Sequence, residues 1–103
     1  MNKSSDILYQ DNDYELILSD DGMRLKTCKD GKLYNLSSHY YEPCTYIEDE
    51  NGNKAVLHDG FDLSFVIGAI QAGKDLRWIG GKKTPHEFCE IMIDTLNNSL
   101  EGR

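Results

Sequence analysis

No apolar run in this chain approaches the roughly 18 positions that a membrane-spanning helix needs, so no transmembrane segment is expected. The opening stretch Met1–Asp6 also lacks the apolar segment of a secretory signal, which points to a cytoplasmic protein. Cysteine is scarce and unpatterned. Cys28, Cys44 and Cys89 cannot all pair within one chain and none stands in a C-x-x-C spacing, so free thiols acting as small apolar groups are expected. Basic residues are outnumbered, 11 Lys and Arg against 18 Asp and Glu, for a net charge of −7. That balance argues against direct nucleic-acid binding, because phosphate contacts need basic surface. Repeats, low-complexity tracts and Pro/Ser-rich linkers are all missing. At 103 residues the chain reads as one domain, frayed over residues 1–6, with room for a core that needs no disulfide or metal support.

The charge that is present is uneven. Residues 1–62 hold 13 Asp and Glu against 6 Lys and Arg, whereas residues 63–103 hold 5 of each, so the acidic excess belongs to the first part.

That first part alternates with the two-residue period of strands. Tyr14, Leu16 and Leu18 share one face of a strand, and Met23, Leu25 and Thr27 share one face of the next, with Arg24 and Lys26 on the other. Ile7–Tyr9 is a short strand or a helical turn. Asp20-Asp21-Gly22 and Lys29-Asp30-Gly31 are turn sequences, Lys32–Leu36 is a third strand, and Asn51-Gly52 is a hairpin turn between strands at Tyr40–Glu48 and Lys54–His58. After Asp59-Gly60 the period becomes helical. Leu63, Val66, Ile67 and Ile70 line one face of a helix over 62–72, capped by Asp62 and stopped at Gly73. Asp75–Ile79 could be one short strand. Thr84-Pro85-His86-Glu87 is a capping box that starts a helix over 85–100, with Phe88, Ile91, Met92, Leu96 and Leu100 as its buried stripe. Losing the Thr84 cap should cost about 1 kcal/mol. The expected fold is α+β: an antiparallel meander of about five strands over residues 7–58, then two helices on one face.

The candidate sites are modest. Gly80–Thr84 runs into a helix N-terminus, where Lys82, Lys83 and the amides after Thr84 could hold an anion; Leu76 and Lys83 stand where a P-loop needs Gly and Ser or Thr. His39, Cys44, His58 and Cys89 have irregular spacings that suit neither structural zinc nor a Cys–His nucleophile, and His86 reads as a surface residue. Glu48–Asn53 lacks the alternating ligands of a calcium loop and has His58 where its last glutamate belongs. No metal or cofactor is expected. The sharper pattern is the acidic turns, with Asp11, Asp13, Asp20, Asp21, Asp30, Glu48, Asp49 and Glu50, beside the tyrosines Tyr34, Tyr40, Tyr41 and Tyr46. Acidic residues steer a basic partner, and an outward tyrosine anchors it.

In size and charge, and in having no catalytic motif, the chain resembles the small inhibitor and immunity proteins of bacteria and their phages. The functional expectation is a non-enzymatic binding protein that docks a basic partner protein through Asp20, Asp21, Tyr41, Tyr46, Glu48, Asp49 and Glu50. The alternatives are an anion-binding domain built on Lys82, Lys83 and Thr84, and a homo-oligomer that pairs through the uncovered sheet face.

Overall fold

In the computed structural model, which describes residues 6–19, 22–38, 44–57, 63–73, 76–78 and 81–101, the alternating first part forms one six-stranded sheet. Its strands are β1 (Asp6–Gln10), β2 (Tyr14–Ser19), β3 (Gly22–Thr27), β4 (Leu33–Ser38), β5 (Thr45–Glu48) and β6 (Lys54–Leu57), each antiparallel to the next in chain order. The count is six rather than about five because the Ile7–Tyr9 segment, read as a short strand or a helical turn, is a full edge strand. A shift of register between Ile7 and Tyr9 marks an irregularity there, a common feature of sheet edges.

Helix α1 (Leu63–Gln71) follows, then a small hairpin of β7 (Leu76–Trp78) and β8 (Gly81–Lys83), then helix α2 (Pro85–Glu101). The hairpin is a difference from the sequence reading, which took 80–84 as loop. Neither helix is long and apolar enough to cross a membrane.

One face of the sheet carries the core. Leu16, Met23, Leu25, Tyr34, Leu36, Ile47 and Ala55 meet Leu63 and Val66 of α1 and Phe88, Cys89, Met92 and Leu96 of α2. On α2 the buried stripe is rotated from the expected one. Cys89 is fully buried and Ile93 packs on the core, while Ile91 is only half-buried. The free thiol acts as a small apolar group in the core, as a buried cysteine does.

Two contacts fix the geometry of this layer. Gly22 has φ 151°, and a Cβ there would lie 2.7 Å from the carbonyl oxygen of Leu36, so the β2–β3 junction requires glycine. At α1 the Leu63 amide donates to Ser38 Oγ at 2.5 Å, a cap supplied by the end of β4; Asp62, the expected cap, lies outside the described residues.

The other face is largely polar. Arg24, Asn35, Glu48 and Lys54 form one cross-strand row, and Glu15 stands opposite Lys26. Opposite charges placed directly across strands stabilise a sheet modestly. The same row continues from Arg24 through Ile17 to the exposed Ile7, so this face is charged toward β6 and apolar toward β1.

Candidate functional site

In an up-and-down meander, alternate connections share an end. The β1–β2 loop (11–13), the β3–β4 turn (28–32) and the β5–β6 turn (49–53) therefore lie together, away from Ser19 and Gly22. Hydrogen bonds join neighbouring turns: Cys28 N–H donates to the Asp13 carbonyl at 2.9 Å, and the Glu50 side chain accepts through Oε1 from Leu33 N–H at 3.2 Å. Five carboxylates (Asp11, Asp13, Asp30, Asp49 and Glu50) meet two lysines, Lys29 and Lys32, at this end.

Helix α2 adds to it. Its 17 residues make a rod of about 25 Å, close to the ~24 Å between the outer strands of a six-stranded sheet. Its first turn meets the β1–β2 loop through His86, and Leu96 and Leu100 border the β3–β4 and β5–β6 turns. There they enclose a groove of about 300 Å³ whose walls include Lys32, Leu33, Tyr34 and Glu50. Glu90 and Asp94 are exposed on the same helix, and both raise the Tyr14 hydroxyl pKa, behind the larger effect of its burial.

The most connected carboxylate is Asp11. Its Oδ1 accepts from the amides of Asp13 and Tyr14, each at 2.8 Å, and its Oδ2 accepts from the Tyr9 hydroxyl at 2.5 Å and His86 Nδ1 at 2.6 Å. Four donors use the full acceptor capacity of a carboxylate. Burial pulls the Asp11 pKa upward, but these bonds outweigh it and hold the group well below the usual carboxylate range. With Asp11 ionised, His86 Nδ1 is the donor. Tyr9, by burial first and then by its bond to Asp11, is pushed up to about 12.

His86 is half-buried, with its ring edge-on to Tyr14 at 5.0 Å between centroids. A positive imidazole near a helix N-terminus opposes the helix dipole. The carboxylates win: the hydrogen bond to Asp11 raises the His86 pKa, burial opposes it, and Asp11, Glu90 and Asp13 add to the rise. The sequence reading of His86 as a plain surface residue missed this link. Asp11 lies 75 residues away, and no local pattern joins the two.

The other expected residues divide by place. Asp49 Oδ1 accepts from the amides of Asn51 and Asn53, and Oδ2 from Asn53 Nδ2, so its carboxylate builds the turn. Asp30 accepts from the Thr27 hydroxyl in the β3–β4 turn. Glu48 and Tyr46 belong to the polar face, where Lys54 Nζ stands 5.3 Å from the centre of the Tyr46 ring, and Tyr34 is in the core. Asp20, Asp21, His39, Tyr40, Tyr41 and His58 lie outside the described residues.

At the start of α2, the Thr84 amide donates to Glu87 Oε1 at 2.9 Å and the Glu87 amide to Thr84 Oγ1 at 3.2 Å, the expected capping box. These bonds, the backbone one first, keep Glu87 below the usual carboxylate range. Lys82 pairs with Arg77 in the small hairpin, and Lys83 with Leu76. Cys44 and Cys89 are buried, and burial foremost pushes the Cys89 thiol far above its ordinary pKa, which leaves it inert as a nucleophile.

Comparison with protein-family models, curated proteins and solved structures finds no match to this chain.

Proposed function

We propose that this chain is a non-enzymatic binding module, of the inhibitor or immunity kind, that docks a basic partner protein on the end of the sheet formed by residues 11–13, 28–32 and 49–53. The observation that carries the reading is the gathering of five turn carboxylates, against the two lysines of the 28–32 turn, at one end, continued by Glu90 and Asp94 on α2. Not all of these carboxylates are equally free. Asp11, Asp30 and Asp49 are occupied in forming turns, whereas Asp94 is exposed and Glu50 makes one 3.2 Å bond on an exposed edge. The groove beside Glu50, which Lys32 also lines, offers a basic side chain Leu33 and Leu100 for its stem and the carboxylates of Asp49 and Glu50 for its head. Charge on this end raises the encounter rate, and the groove supplies the anchor.

The two other readings have less support. An anion approaching Thr84 would meet the Glu87 carboxylate, and self-association through the sheet would have to cover a row of charges.

The reading is tested by affinity capture from a lysate of the source organism with the wild type and with Glu50→Lys/Asp94→Lys, at low and high salt, with mass-spectrometric identification. The expected result is a basic protein held by the wild type at low salt, shed at high salt, and not held by an equally folded variant. Identical captures by the two proteins would overturn it.

A further inference from the structure

The β5–β6 turn carries Asn51-Gly52 at its tip, and both residues are exposed. A side-chain amide of asparagine is open to attack by the backbone nitrogen of the next residue, most of all when that residue is glycine and no side chain crowds the nitrogen. Gly52 has φ 85°, and nothing lies within 4 Å of where a Cβ would stand, so this side of the turn is clear. The Gly52 amide is also loosely held: it donates to a neutral acceptor, the Asp49 carbonyl, at 3.2 Å.

The other described asparagines lack this combination. After Asn12 comes Asp13, whose amide donates at 2.8 Å to the Asp11 carboxylate, a charged and therefore stronger acceptor. Asn35 is followed by Leu36 inside β4, and Asn97 and Asn98 by residues inside α2, where regular backbone bonding holds the amides. Asn53 has its side-chain nitrogen tied to Asp49 Oδ2 at 3.0 Å, and Lys54 of β6 follows it. Asp30-Gly31 is a similar step, but a carboxylate is a far poorer electrophile than an amide, and the Gly31 N–H is held by the Thr27 carbonyl at 2.8 Å.

We propose that Asn51 is a site of self-modification, at which the chain converts asparagine to aspartate and isoaspartate without a partner enzyme. Gly52 N bonds to Asn51 Cγ, the Cγ–Nδ2 bond breaks, and the proton given up by Gly52 N leaves with Nδ2 as ammonia. The product is a five-membered imide, and nothing is oxidised or reduced. Water then opens one of its two carbonyls: breaking the bond from nitrogen to Cγ gives aspartate, and breaking the bond to the backbone carbon gives isoaspartate. Either product adds a carboxylate to the groove that Asn51 lines with Asp49 and Glu50. Isoaspartate also inserts a methylene into the backbone between the Asn51 and Asn53 amides, both of which Asp49 Oδ1 holds, so the turn loosens.

This inference does not depend on the partner reading. Its test is incubation of the folded chain in warm, mildly alkaline buffer, beside a urea-unfolded sample and folded Asn51→Gln, with peptide mass spectrometry to locate each gain of one mass unit. The expected result is a gain at Asn51 before any other asparagine, divided between two chromatographically separate products. Its rate should be within about tenfold of that in the unfolded chain, about the most that one neutral hydrogen bond at Gly52 imposes. Asn51→Gln, whose longer side chain closes a larger ring more slowly, should lose the signal and keep the turn, because Asp49 supplies the turn's side-chain bonds. A folded chain unchanged at Asn51 while the unfolded chain reacts would overturn the proposal, as would a gain at Asn12 or Asn53 ahead of Asn51.

Discussion

Two turns at the same end of the sheet use the same device for different purposes. In the β5–β6 turn Asp49 accepts from the amides two and four residues on and from Asn53, and every partner is local. In the β1–β2 loop Asp11 accepts from the amides two and three residues on, and its second oxygen also holds Tyr9 and, across 75 residues, His86 of α2. An aspartate that bends the chain needs only one of its oxygens for that work. The other is free to join the loop to a distant element, and here it ties the start of the last helix to the first hairpin.

Breaking the two turns should separate these roles. Asp11→Ala strands two amides, the Tyr9 hydroxyl and His86 together. Hydrogen bonds to a charged group are worth about 1.5–3 kcal/mol each before their losses overlap, so a fall in unfolding free energy of about 2–3 kcal/mol is expected in denaturant titration. Asp49→Ala should lower Tm by less than half as much as Asp11→Ala, with faster hydrogen exchange confined to the amides of Asn51 and Asn53. Equal losses from the two substitutions would mean that the long-range bonds contribute little.

The smallest expected effect is one of pH. The folded pKa of His86 is raised, so its contribution to stability is complete below the unfolded value of 6.5 and disappears as pH rises through the folded value. For Asp11 the sign is opposite: its folded pKa is depressed, so its contribution is complete above 3.8 and fades only as pH falls toward that depressed value. The stability gap between wild type and His86→Ala should therefore narrow from pH 6.5 upward, by no more than about 1 kcal/mol for a partly exposed pair.

Much of the scaffold was legible because it is written in short-range pattern. The alternation of Tyr14, Leu16 and Leu18 and the Thr84–Glu87 box each specify local backbone and appear where their residues predict. Asn51-Gly52 does mark a hairpin, although its turn spans 49–53 rather than two residues because Asp49 closes it. The rotated stripe of α2 was less legible. Cys89 and Ile91 are both apolar, and which of them enters the core depends on how the helix crosses the sheet, a property of the assembled layers. The site was least legible of all. The acidic turns could be read from composition, but their convergence follows from strand order, and the bond between Asp11 and His86 joins residues with no common motif. A charge count also cannot separate Asp49, which builds its own turn, from Asp94, which is exposed on α2.

The claim on which the rest depends is that Asp11 and His86 link α2 to the first hairpin. An NMR titration of the His86 ring in wild type and in Asp11→Asn measures it most directly. The account predicts a wild-type midpoint above 6.5 that falls back toward the ordinary histidine value in the variant. A wild-type midpoint at or below 6.5, or the same midpoint in both proteins, would contradict it.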